Sequence, residues 1–180
     1  MKKHFYTYND VHNAAMDIVL KMYKDNWRPD YVVGITRGGL PLALRISNLL
    51  DCRMETLKVK LRDAKEDESC ETNCWMSEDA FGYVSGEDYT TSSVFAKKNI
   101  LVVDDINDTG ATFNWIKNDW QSSCLPMNPN WDTVWGGNVR FAAMTENLSS
   151  EFGLVQYCWH EVNKADEDIW LVYPWEYGAT

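Results

Sequence analysis

Leu101-Val-Val-Asp-Asp-Ile-Asn-Asp-Thr-Gly-Ala-Thr112 is the stretch on which the reading of the fold turns. Ile100-Leu-Val-Val103 is a continuous apolar run of the kind buried on both faces of a parallel sheet, and Phe113, Ile116 and Trp120 follow it at helical spacing. Between strand and helix stand two carboxylates and a small, hydroxyl-rich turn. Ligands of open α/β sheets bind at the carboxyl ends of strands. Backbone NH groups of Asp108, Thr109, Gly110, Ala111 and Thr112 would point outward at a helix N-terminus, which makes a phosphate cradle. Asp104 and Asp105 are acceptors suited to a diol or a metal-bound sugar, and inside the cradle they would repel phosphate. Two subsites follow, one for hydroxyls and one for phosphate. Asp108 alone could instead cap the next helix, which leaves the other two carboxylates unexplained.

Outward from this segment the same alternation repeats. Residues 11 to 23 carry apolar side chains at helical spacing behind Asp10 as a candidate N-cap. Tyr31 to Ile35 reads as a strand, Gly34-Ile-Thr-Arg-Gly-Gly39 as a turn, and Leu40 to Leu50 as a helix. Further strands are expected over 54–61, 139–145, 154–159 and 169–173. Strands alternating with helices predict a mainly parallel α/β sheet flanked by helices. From 62 to 94 the chain is acidic and shows little periodicity, the pattern of a long loop or lid.

At 180 residues, 45% of them hydrophobic, the chain is the length of one domain, 1–180. Its start lacks the apolar run of a signal peptide and nothing later approaches a membrane span, so a cytoplasmic protein is expected. The net charge of −10 argues against nucleic-acid and anionic-membrane partners. Five irregularly spaced cysteines argue against a disulfide framework, and the close pair Cys70 and Cys74 reads as loop thiols rather than a zinc site.

The segment ending at Thr112 resembles the signature of the type I phosphoribosyltransferases, which bind phosphoribosyl pyrophosphate (PRPP). Eleven contiguous positions, Val102 to Thr112, fit it. The resemblance implies that Asp104 and Asp105 hold the ribose hydroxyls, directly or through Mg2+, with Glu176 as a further metal ligand. It implies that Asp108, Thr109, Gly110, Ala111 and Thr112 take the 5'-phosphate, and that Asp108 is the general acid or base. The turn at 34–39 looks like the family's pyrophosphate loop, which puts Arg37 and Gly38, with Lys58 and Lys60, on the pyrophosphate. Ile169-Trp-Leu-Val-Tyr-Pro-Trp-Glu-Tyr-Gly178 resembles the closing segment of bacterial xanthine-guanine phosphoribosyltransferases. That likeness implies a base-binding hood over about 146–180, with Trp170 stacking on a purine and the backbone of Leu171 reading its edge. A core or interface role for Trp170 is the plainer alternative in a chain with nine tryptophans.

The implied activity is transfer of ribose 5-phosphate from PRPP to a nucleobase with release of pyrophosphate, by a homodimer or homotetramer. A PRPP or nucleotide sensor on the same fold is the second reading. The likeness breaks where the 6-oxopurine enzymes carry a base-reading lysine: here Phe141 to Asn147 offers Glu146 or Asn147, with Lys164 as a cation from elsewhere. An altered base preference is therefore expected.

Overall fold

The computed structural model describes residues 1–61, 70–82, 97–123 and 129–178. Five parallel strands form the central sheet in the order β3 (Arg53–Lys58), β2 (Tyr31–Thr36), β4 (Ile100–Asn107), β5 (Val139–Asn147), β6 (Val155–Val162). Because a parallel sheet is covered on both faces, each strand sends alternate residues into two apolar layers. Leu101 and Val103 of β4 join Ala142 and Met144 of β5 under α1 (Tyr8–Lys24) and α2 (Leu40–Leu50). Ile100 and Val102 join Val139 and Phe141 on the other face, where α3 (Cys74–Phe81) and α4 (Ala111–Ser123) pack. Both layers are apolar, as the α/β expectation requires.

Chain order reverses between β2 and β4: from β2 the chain steps outward to β3, then returns to the other side of β2. A crevice opens outside the carboxyl ends of strands at such a reversal. Arg37 to Gly39 and Asp104 to Thr112 meet there.

Several elements differ from their sequence reading. The first helix starts earlier, capped by Thr7, whose hydroxyl accepts from Asp10 N at 3.1 Å while the Asp10 carboxylate accepts from Thr7 N at 2.7 Å. Asp10 therefore closes a capping box as its third helical residue and is not the cap. The central strand β4 runs on to Asn107, so Asp104 and Asp105 lie within it. A strand that sequence missed, β1 (Lys2–Phe5), pairs in parallel with β7 (Ile169–Val172) as a separate two-stranded sheet, so the C-terminal segment is completed by the N-terminus. Lys2-Lys-His-Phe5 carries too little apolar alternation to announce a strand.

Within the expected 62–94 loop, residues 62–69 and 83–94 lie outside the described residues, and α3 stands between them. Asn73 caps it by accepting from Met76 N at 3.0 Å, and Met76, Ala80 and Phe81 are buried. Asp79 ties it to the sheet by accepting from the Tyr31 hydroxyl at 3.0 Å and pairing with Lys98 at 3.1 Å. Cys74 is disulfide-bonded whereas Cys52, Cys70 and Cys158 are free, so the two close cysteines are not a pair of thiols. Among the described residues no helix is long and apolar enough to cross a membrane.

Phe141 sits at the middle of the second layer, with ring centroids 4.9 Å from Phe113, 4.8 Å from Phe152 and 6.0 Å from Trp135. Its replacement by alanine leaves a cavity that three rigid rings cannot close. Phe141→Ala is expected to lower the unfolding free energy by about 3–5 kcal/mol in urea titration.

Candidate active site

A cleft of about 290 Å3 opens at the end of β4, lined by residues 59–61 and 104–113. The strand delivers Asp104 and Asp105 to its floor. Asp104 accepts from Asp105 N at 2.9 Å, and Asp105 accepts from Ile106 N at 2.9 Å. Burial pushes the Asp104 carboxyl well above the ordinary carboxylate range, and the neighbouring Asp105 charge pushes it further. Burial raises Asp105 to about 6, with the hydrogen bond to the Asp104 carboxyl and backbone donors opposing the shift and Glu176 adding to it. A buried carboxylate pair of this kind favours a ligand that brings positive charge or hydroxyl donors.

Beyond the pair the chain turns sharply. Gly110 holds φ +89°, and a Cβ there would lie 2.5 Å from the backbone nitrogen of Phe152. Glycine is therefore required by conformation and by space alike. Ala111 N reaches the Thr109 hydroxyl at 3.3 Å, and Asn114 N bonds to Gly110 O at 3.0 Å, which starts α4. One cradle NH is thus engaged by Thr109 itself. Asp108 lies beside the turn, with Lys164 Nζ 3.0 Å from its Oδ1.

The remaining expected residues divide between the cleft and its surroundings. A Cβ on Gly38 would stand 2.1 Å from Asp105 Oδ2, so the 34–39 turn abuts the carboxylate pair. Arg37 and Lys58 are exposed at the ends of β2 and β3, and Lys60 lines the cleft. Glu176 Oε2 accepts from Tyr173 N at 2.9 Å. Among the described residues no group of three or more His, Cys, Asp or Glu is arranged to hold a metal ion.

Glu146 lies behind the cleft wall: its Oε1 accepts from Asn107 Nδ2 at 3.0 Å, and its Oε2 is buried with no partner among the described residues. Burial raises its carboxyl to about 7, with Glu161 across the strand pair adding repulsion. Trp170 is 49% exposed and Leu171 is buried in the first apolar layer, and neither lines the cleft.

Sequence reasoning missed the contacts that tie the small sheet to the site. The Tyr173 hydroxyl reaches Asp105 O at 3.2 Å and Thr145 Oγ1 at 3.1 Å, and Tyr6 joins the same threonine at 2.9 Å. No motif marks them, since the three residues lie on β5 and on segments flanking β1 and β7.

A parallel sheet with its cleft outside the carboxyl ends of β2 and β4 defines an α/β protein of the crevice-binding class. The family model described as phosphoribosyl transferase domain matches residues 6–118. The chain belongs to the phosphoribosyltransferase family. Solved structures similar to it include a purine phosphoribosyltransferase from Pyrococcus horikoshii, at 21% identity and TM-score 0.62 over 97% of this chain and 94% of that one. A xanthine-guanine-hypoxanthine phosphoribosyltransferase from Helicobacter pylori gives 16% identity and TM-score 0.62 over 98% and 94%. A hypothetical protein from Neisseria gonorrhoeae with bound ppGpp gives 18% and 0.63 over 97% and 89%. At these identities the likeness is one of fold. No curated protein sequence matches the chain.

The raised carboxyl of Asp105 has a stability consequence with a definite sign. The folded chain holds this proton more tightly than the unfolded chain does, from the ordinary 3.8 up to about 6. Its contribution is fully present below about pH 4 and is lost as pH rises through about 6. Asp105→Asn is therefore expected to raise the melting temperature at about pH 7.5 by roughly 5 °C, and to change it little at about pH 4.5, as read by calorimetry.

Proposed function

We propose that the chain transfers ribose 5-phosphate from PRPP to a purine base and releases pyrophosphate. The observation that carries this reading is the order of groups along one cleft wall, in a chain of this family: a buried carboxylate pair at 104–105 and an anion-binding turn at 108–112. A ribose would meet the carboxylates with its 2- and 3-hydroxyls and the turn with its 5'-phosphate.

Asp104 and Asp105 suit Mg2+ in charge and hardness, although the rest of its shell would come from the substrate's own oxygens and water. When bound, such an ion supplies neutralisation of the leaving diphosphate. Gly38 abuts Asp105, Lys60 lines the cleft, and Arg37 and Lys58 stand at the neighbouring strand ends as candidate donors to the diphosphate. In the transfer the bond from C1 to the pyrophosphate oxygen breaks, the bond from C1 to the base nitrogen forms, and the nitrogen's proton passes to the Asp108 carboxylate. Positive charge that builds on the ribose is stabilised by the nearby carboxylates.

A sensor that binds PRPP or a nucleotide without turnover is the second reading. It is favoured by Glu146, which stands near the position where the 6-oxopurine enzymes that the chain resembles carry a base-reading lysine. Incubation with PRPP, Mg2+ and a panel of bases, with pyrophosphate release as the readout, separates the two. Nucleotide formation from a purine is the expected result, and PRPP binding without release from any base would establish the sensor instead. In the same assay Asp108→Asn is expected to lose about 100-fold in turnover while still binding PRPP.

A further inference from the structure

Of the five residues in the turn 108–112, four are uncharged and the first is an aspartate. A carboxylate at the rim of an anion-binding turn opposes the anion, and on a chain of net charge −10 no distant excess of positive charge offsets it. The structure places a cation on that carboxylate. Lys164 Nζ lies 3.0 Å from Asp108 Oδ1, and both side chains are only 26% exposed, which limits screening by solvent and salt.

Lys164 comes from the turn between β6 and β7, and Asp108 from the loop after β4. A single side chain holds both. Asn147, at the end of β5 and 5% exposed, donates from Nδ2 to Asp108 O at 2.9 Å and to Asp108 Oδ1 at 3.3 Å. Its Oδ1 accepts from Lys164 N at 3.0 Å, Ser149 N at 3.3 Å and Ser149 Oγ at 2.9 Å. An amide can donate on one side and accept on the other, whereas a carboxylate in this place could only accept.

We propose that Lys164 cancels the charge of Asp108 so that the turn can take a phosphate, and that Asn147 is the positioning residue that assembles the pair. The assignment rests on the reading of 108–112 as the phosphate-binding turn. Lys164 then acts on affinity through Asp108 rather than by touching the ligand, and Asn147 couples the β6–β7 turn to the cleft.

Calorimetric titration with ribose 5-phosphate, and separately with PRPP and Mg2+, tests this at low and at high salt. Lys164→Gln is expected to weaken both ligands roughly 10- to 100-fold at low salt and less at high salt. Lys164→Arg keeps wild-type affinity. The deciding variant is the double replacement Lys164→Gln with Asp108→Asn, which removes both charges and is expected to recover most of the lost affinity. Asn147→Asp, with thermal melts to confirm that it folds, weakens binding in the same direction.

Wild-type affinity in Lys164→Gln overturns the proposal. A double variant as weak as Lys164→Gln also overturns it, because the lysine then acts directly on the ligand or on the fold. A folded wild type that binds neither ligand overturns the phosphoribosyltransferase reading itself, and this inference falls with it. The wild-type titration alone tells that failure from the other two.

Discussion

Two adjacent carboxylates at the end of a buried strand are the constraint around which this molecule is arranged. Asp104 is 9% exposed, and burial raises both its carboxyl and that of Asp105. A charge so placed is costly unless something compensates it. The fold holds the pair by rigidity: β4 is the middle strand of five, flanked on both sides by hydrogen-bonded neighbours and on both faces by apolar layers. Removing water from the carboxylates and fixing their direction are one act, since the same packing does both.

That packing also shapes the turn beyond them. Phe152, in the second apolar layer, presses its backbone against Gly110, so the layer that buries the strand also sets the left-handed turn from which α4 begins. On the opposite side, Tyr173 bonds to the backbone of Asp105 and shares Thr145 with Tyr6. The small sheet of β1 and β7 is thereby joined to the site through hydroxyl groups rather than through apolar contact alone. Such bonds are directional, and they fix the angle at which the C-terminal segment meets the cleft.

The central architecture was legible because its signals are local and strong. The apolar run at 100–103, the glycine turn at 110 and the helical spacing from Phe113 each report a nearest-neighbour property of the chain, and the parallel sheet follows from their repetition. Elements whose reason is tertiary were not legible. β1 is a strand because β7 lies beside it, and α3 is a helix because Met76, Ala80 and Phe81 find the second apolar layer. At the site, Asp104, Asp105 and the turn were read from consecutive positions and do line one cleft. Trp170 was carried over by likeness to a family segment; it lies on β7, 49% exposed, and does not line that cleft.

The placing of charge bears on how an acidic chain could take the anionic ligand proposed for it. Net charge is a property of the whole surface, while salt confines its influence to roughly 8–10 Å. Within that range the two ends of the cleft differ. At 108–112 the turn's own carboxylate, Asp108, is paired with Lys164, Glu151 borders the outer side of the turn, and the turn offers backbone and hydroxyl groups. At 104–105 two carboxylates stand together with no cation bonded to them among the described residues, and Glu176 adds negative potential. An anion with no cation is repelled from the second end and tolerated at the first, whereas one that arrives with a divalent ion is drawn to both. On the proposed reading this asymmetry would orient a ligand carrying a simple phosphate at one end and a metal-bound group at the other, without any excess of basic residues around the cleft.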